Sequence, residues 1–182
     1  MQIAATEIPD VKVITPVRHG DERGFFSETF NARALKEQGL ETDFVQDNHV
    51  LNGAAGTVRG LHLQTDPSPQ GKLIRVTHGG IVDVAVDVRA DSPTYGRHVA
   101  RELTAENWQQ LWIPPGFAHG YCTLSAGTEV IYKVTGFYNP DAERGLPWND
   151  PDLGIDWPDC ANPESLSGRD REWLPFAKFE GI

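Results

Sequence analysis

With only two cysteines in 182 residues, Cys122 and Cys160, the chain has no disulfide framework, and it contains no C-x-x-C pair to hold a metal or run thiol exchange. Both read as free thiols of a reducing cytoplasm. Positive charge is scarce as well, since 16 Lys and Arg stand against 26 Asp and Glu for a formal net charge of -10. This balance argues against nucleic acid or an anionic membrane as a general partner, because each demands a basic face. An anionic small ligand stays open, provided that cations such as Arg23, Arg59 and Lys72 gather locally against the net field. No apolar run reaches the roughly eighteen residues of a spanning helix. The opening MQIAATEIPDVKVITP also lacks a basic region followed by an apolar one, so the expectation is a protein neither exported nor membrane-spanning. Repeats, low-complexity tracts and linkers are missing too, and a hydrophobic content of 39% suffices for one domain with a real core.

Helix is in equally short supply. Asn31 to Leu40 is the one clear candidate, with Asn31 placed to cap its start, good helix formers in ARALKEQ and Gly39 at its end. Strand patterns fill most of the rest. Val11 to Val17 alternates, HGDERG reads as a turn leading to Phe25 and Phe26, and Phe44 to Val50 resumes a strand before the loop LNGAAG. From Leu73 the pattern runs LIRVT, HGG, IVDVAVDV, and in the last of these Val82, Val84, Val86 and Val88 share one face. Asp83 and Asp87 share the other face with Ile81 and Ala85, which fits either a solvated surface or the mouth of a barrel. After the turn RADSPTYG come HVAREL, LWIP, YCTL and EVIYKVTGFY as further strands. Past Pro140 the texture becomes acidic and rich in tryptophan and proline. That segment is expected to wrap the barrel, with Trp148 and Trp157 as anchors and Ser167 capping a helical turn in SGRDREW. The fold expected is all-β, an antiparallel barrel or jelly roll with one or a few short helices. It forms a single domain over 1–182, with a core barrel about 40–140 and a wrapping segment 141–182.

The chemistry concentrates in TVRGLHLQTDPSPQGK, where a strand, a tight loop and a second strand carry Arg59, His62, Gln64 and Lys72. Two cations and an amide beside an imidazole suit an anionic ligand together with proton transfer. A second histidine, His119, stands in IPPGFAHGYCTL, where a Pro-Gly turn presents it just before the strand YCTL. The two segments resemble the histidine-bearing hairpins of the cupin superfamily. Metal-binding members pair a second histidine with the first, and Gln64 occupies that position here. A divalent transition metal prefers three or four nitrogen, sulfur or carboxylate donors, so neither a metal nor another cofactor is expected.

A narrower resemblance covers nearly the whole chain. RGFFSE at 23–28, QDN at 46–48, VRGLHLQ at 58–64, KLIRV at 72–76, DVAVDVR at 83–89, SPTYG at 92–96, IPPGFAHG at 113–120, YKV at 132–134 and WNDPDLGIDWP at 148–158 occur in order. Together they resemble the dTDP-4-dehydrorhamnose 3,5-epimerase family. The resemblance implies epimerisation at carbons 3 and 5 of dTDP-4-keto-6-deoxyglucose, giving dTDP-4-keto-L-rhamnose for rhamnose biosynthesis. It implies His62 as base, Asp170 as its orienting partner and Tyr132 as the acid on the opposite face. For binding it implies Arg23, Glu28, Gln46, Asn48, Arg59, Lys72, His119, Glu143 and Arg169, with Tyr138 stacking on the thymine. Members of the family are homodimers, some with residues near the RGFFSE block reaching a neighbouring site.

Each catalytic role also makes sense chemically. Removing a proton from carbon beside a ketone needs a base near neutral pKa, a donor across the ring and a cation at the developing enolate oxygen. A histidine held by a carboxylate, a protonated tyrosine and Lys72 supply these. On residue type alone Tyr132 is simply a strand aromatic beside Val130 and Val134. Arg59 and His62 present a geometric requirement, because on a regular strand they point to opposite faces. A bulge or kink near Gly60 must bring them into one pocket. Other readings are a mono-epimerase or ketoisomerase on a related dTDP-4-keto-6-deoxysugar, a metal-dependent cupin oxygenase or isomerase, and a silent sugar-nucleotide binder.

Overall fold

Period-two alternation makes strand the dominant regular structure, and the computed structural model of the protein describes residues 1–40 and 43–182. The N-terminal strands are β1 (Gln2–Ala5), β2 (Lys12–Thr15), β3 (His19–Asp21) and β4 (Gly24–Phe26), followed by the helix α1 (Ala32–Glu37). Next come β5 (Gln46–Asn52), β6 (Val58–Gln64), β7 (Lys72–His78), β8 (Gly80–Asp87) and β9 (His98–Thr104). The series closes with β10 (Gln110–Ile113), β11 (Phe117–Thr123), β12 (Thr128–Val134) and β13 (Glu143–Gly145). Two main sheets result. One has six strands in the order β1-β2-β10-β7-β12-β5, the other five in the order β13-β6-β11-β8-β9, and β3 with β4 forms a separate hairpin. The pairings between these strands are antiparallel, as expected of an all-β barrel.

The core lies between the two sheets. Ile74, Val76, Leu111, Ile113 and Val130 from the first meet Ile81, Ala85, Val99, Leu103, Phe117 and Tyr121 from the second. Burial of this apolar surface is the main term holding the sheets together, at about 25 cal/mol per Å² removed from water. The outer face of the five-stranded sheet is covered as well. Leu61, Leu63, Val84, Val86 and Val88 pack under Leu146 and Leu153, with Ile155, Trp157 and Phe176 from the C-terminal segment against them. This is the expected wrapping, and the anchors touch each other, since the Trp157 indole N–H donates to the Trp148 carbonyl at 2.6 Å.

The helix behaves as its sequence dictates. The Asn31 side chain accepts from the Ala34 amide, Gly39 takes a left-handed φ of 78°, and Leu35 buries against Ile14, Leu73 and Trp112 on the outside of the six-stranded sheet.

Several expectations need correction. HGDERG is a β-hairpin in its own right, with His19–Asp21 paired to Gly24–Phe26, because Gly24 at φ 125° allows the tight reversal. Leu51 and Asn52 belong to β5 instead of the following loop, since their pairing with β12 runs on to Thr128. His119 lies inside β11 and does not precede it, as pairing with β8 begins already at Phe117. The sheets also recruit strands from outside 40–140. β2 sits between β1 and β10, and the three residues of β13 extend β6, a segment too short to show any periodicity.

Of the two settings open to Asp83 and Asp87, a solvated surface and the mouth of a barrel, the structure shows the interior one. Both are 0% exposed, because β8 is covered on its valine face by the C-terminal segment and on its acidic face by the opposite sheet. Asp87 is held by Arg89, with Ser92 and Thr94 hydroxyls at 2.5 and 2.6 Å. Burial alone raises a carboxyl pKa, yet these hydrogen bonds bring that of Asp87 down to about 2.

Candidate active site

A cavity of about 430 Å³ opens between the two sheets and gathers most of the residues that the sequence singles out. From the five-stranded sheet come Arg59, His62 and Gln64 on β6, His119 on β11 and Glu143 on β13. The facing wall carries Gln46 and Asn48 on β5, Lys72 at the start of β7 and Tyr132 on β12, while Tyr138 and Asp170 arrive from loops.

Arg59 and His62 do share this pocket. Along β11 the register passes from His119 opposite His62 to Tyr121 opposite Arg59, so β6 holds one extra residue in that interval. Gly60 occupies the bulge at φ 115°, and a Cβ there would lie 2.5 Å from the Gly120 Cα. Only glycine fits this close approach. The kink required by the sequence is thus built into the RGL step of the motif.

His62 binds Asp170 through Nε2 in a short hydrogen bond. The Asp170 side chain is 3% exposed against 31% for His62, so the carboxylate is sealed while the imidazole reaches the cavity. Burial tends to raise the Asp170 pKa, but the hydrogen bond and charge of His62, with further contributions from Ser167 and Trp173, leave it below the usual carboxylate value. Ser167 fixes the local turn by accepting from the Asp170 amide at 3.1 Å, close to its expected capping role. Trp173 meets the His62 ring edge-on at 6.2 Å, and its indole N–H is buried with no acceptor in hydrogen-bond geometry.

Across the cavity, burial raises the Tyr132 pKa, partly opposed by the nearby Arg59 charge, so the phenol keeps its proton at neutral pH. Lys72 donates to the His62 carbonyl at 3.2 Å. Its pKa is lowered to about 8 by burial of the ammonium, with the negative charge of Asp83 pulling the other way. His119 donates through Nε2 to Asp83 Oδ1 at 2.6 Å, and burial holds its pKa below the ordinary imidazole value despite that partner. Asp83 and Tyr121 are the site residues that sequence reasoning missed. A signal existed: Tyr121 is two residues from His119 on the same strand face, and Asp83 lies opposite Tyr121 in the ladder.

The remaining assignments divide. Gln46 donates to Asn48 at 2.8 Å on the cavity wall. At the rim, Arg169 donates to the Tyr138 hydroxyl at 3.0 Å and forms an ion pair with Glu143, while Tyr138 donates to Glu143 at 3.2 Å. Arg23 and Glu28 lie outside this chain's cavity. Arg23 pairs with Asp21 on the exposed hairpin, and Glu28 accepts from Asn31. Gln64 is buried as a backbone clamp, accepting from the Asn139 amide at 2.9 Å. Among the described residues no cluster of three or more His, Cys, Asp or Glu is arranged to hold a metal ion, and no helix is long and apolar enough to cross a membrane.

Comparison with known proteins places this geometry in context. The family model for dTDP-4-dehydrorhamnose 3,5-epimerase matches residues 5–178. A dTDP-4-dehydrorhamnose 3,5-epimerase of Sinorhizobium fredii is 51% identical over 158 residues, 87% of this chain and 81% of that protein. The crystal structure of the Bacillus anthracis enzyme with TDP and PPi bound superposes with a TM-score of 0.91 at 44% identity, covering 96% of this chain and 98% of the other. The Legionella pneumophila dTDP-6-deoxy-D-glucose-3,5-epimerase, solved in complex with dTDP-4-keto-L-rhamnose, superposes with a TM-score of 0.87 at 44% identity over 93% and 89% of the two chains.

Proposed function

The chain belongs to the dTDP-4-dehydrorhamnose 3,5-epimerase family, and on that premise we propose that His62, Lys72 and Tyr132 carry the proton transfers, with Asp170 holding the base. The enzyme is an isomerase of the cupin-type β fold. It epimerises carbons 3 and 5 of dTDP-4-keto-6-deoxyglucose to give dTDP-4-keto-L-rhamnose, a step of dTDP-rhamnose biosynthesis.

One observation carries the assignment of roles: a carboxylate-held imidazole on one wall of the cavity faces a protonated phenol on the other. Asp170 binds one ring nitrogen of His62 and leaves the second to take a proton from the carbon beside the ketone. The electron pair of the broken C–H bond moves into an enolate, whose oxygen the Lys72 ammonium stabilises. Tyr132 then delivers a proton to the opposite face, the carbon inverts, and solvent restores both groups before the second centre reacts. Arg59 and His119 bind the nucleotide portion, with Gln46, Asn48, Glu143 and Arg169 completing the contacts and Tyr138 stacking on the thymine.

The assembly proposed is a homodimer, because Arg23 and Glu28 lie outside this chain's cavity, on or next to a hairpin whose Phe25 and Phe26 are 51% and 71% exposed. That hairpin would bring both residues to a neighbour's site. The compartment proposed is the cytoplasm, where Cys122 and Cys160 stay reduced. The whole chain, 1–182, is taken as one epimerase domain.

Proton NMR in deuterated water tests the activity directly. With dTDP-4-keto-6-deoxyglucose, solvent deuterium is expected at both carbon 3 and carbon 5, at a rate unchanged by exhaustive chelation. Exchange at one carbon only would reduce the enzyme to a mono-epimerase, and activity lost to chelator and restored by one divalent metal would remove the mechanism.

The lowered Lys72 pKa sets a pH dependence. The ammonium is charged below about 8, so kcat is expected to decline as pH rises through that value. Lys72→Arg keeps its charge to far higher pH and should lose this alkaline limb, even at reduced turnover. A limb that persists unchanged in the variant would assign it to another group.

A further inference from the structure

We propose that Asn52 is a positioning residue for anion recognition, pinning Arg59 through its Nε so that the guanidinium meets the substrate diphosphate end-on, with its two terminal nitrogens. This rests on Arg59 binding the nucleotide, as argued above.

Asn52 closes β5 and is 1% exposed, and its Oδ1 accepts from Arg59 Nε at 2.9 Å. The orientation of the amide follows from its partners. Arg59 can only donate and the Thr128 carbonyl can only accept, so Oδ1 faces the guanidinium while Nδ2 donates to Thr128 at 3.1 Å. The Tyr121 hydroxyl points at the same Oδ1 from 3.4 Å. Burial pushes its pKa up to about 12, so it remains a donor throughout the working range.

Arginine presents two forks to a phosphate, one side-on through Nε and a terminal nitrogen, the other end-on through both terminal nitrogens. Asn52 consumes Nε, so the side-on fork is lost and the end-on fork remains. A neutral amide is the right group for this task. It fixes direction and leaves the positive charge unspent, whereas a carboxylate in its place would neutralise the guanidinium before the diphosphate arrives. Lysine in place of Arg59 has no Nε donor to be held, so the influence of Asn52 should vanish with the arginine.

A double-mutant cycle on the full-length enzyme measures this. The dissociation constant of dTDP by calorimetry and the steady-state constants are compared among wild type, Asn52→Ala, Arg59→Lys and the double variant. Asn52→Ala is expected to raise Kd and KM about tenfold while kcat stays within about twofold, and the double variant should bind no worse than Arg59→Lys alone. Asn52→Asp should lose more affinity than Asn52→Ala. Any loss of folding stability from Asn52→Ala acts in both arginine and lysine backgrounds and cancels from the cycle. Equal weakening in both backgrounds, or none in either, overturns the role of Asn52 even where Arg59→Lys itself weakens binding. Full dTDP affinity in Arg59→Lys and Arg59→Ala together would instead remove Arg59 from the binding site, and this inference with it.

Discussion

His62→Asn is expected to lower turnover by about 10²–10⁴ while leaving dTDP affinity nearly unchanged, the share usually carried by one positioned acid or base. Asparagine is the more informative replacement. Its amide can still donate to Asp170, whose side chain is 3% exposed and would be left buried without its His62 partner by alanine. An unpaired buried carboxylate costs at least about 1–3 kcal/mol, so His62→Ala mixes lost chemistry with lost stability. Rates measured at saturating substrate, beside dTDP titrations and melting temperatures, separate the two. Turnover near wild type in His62→Asn would move the base elsewhere, with the neutral His119 as the next group to test.

The same pair of residues shows what was legible in the sequence. The need for a kink between Arg59 and His62 follows from strand geometry alone, and the extra residue at Gly60 supplies it. Likewise the capping of α1 by Asn31 needed only local chemistry. Asp83 marks the boundary of such reasoning. Alternation shows that Asp83 and Asp87 share a face, but it cannot show whether a second sheet covers that face, which is a long-range fact. His119 and Asp83 come together only because β8 and β11 pair in one particular register. For β13, three residues carry no period at all, and their pairing with β6 depends on where the chain returns after Pro140. Arg23 and Glu28 fall outside the cavity because Asp21 and Asn31 hold them on and beside a separate hairpin, a placement that no strand period encodes.

The placement of His62 and Tyr132 on facing sheets leads to a sharper expectation for Tyr132→Phe. If His62 abstracts the proton and Tyr132 returns one from the far side, the variant should still remove protons but rarely complete the inversion. In deuterated water His62 then delivers solvent deuterium back to the original face. Isotope exchange at carbon 5 or carbon 3 should therefore outrun formation of the lyxo product, whereas in wild type the two advance together. The high pKa of Tyr132 supports this role, since a phenol kept protonated by burial retains the proton it must give. It also means that Tyr132→Phe removes a donor without unbalancing charge, so binding should change little. Equal slowing of exchange and inversion would place Tyr132 at the abstraction step, donating to the enolate oxygen beside Lys72, and the acid would have to be another group. Unchanged values of both would leave Tyr132 as a strand aromatic packed beside Val130 and Val134, with no part in the proton transfers.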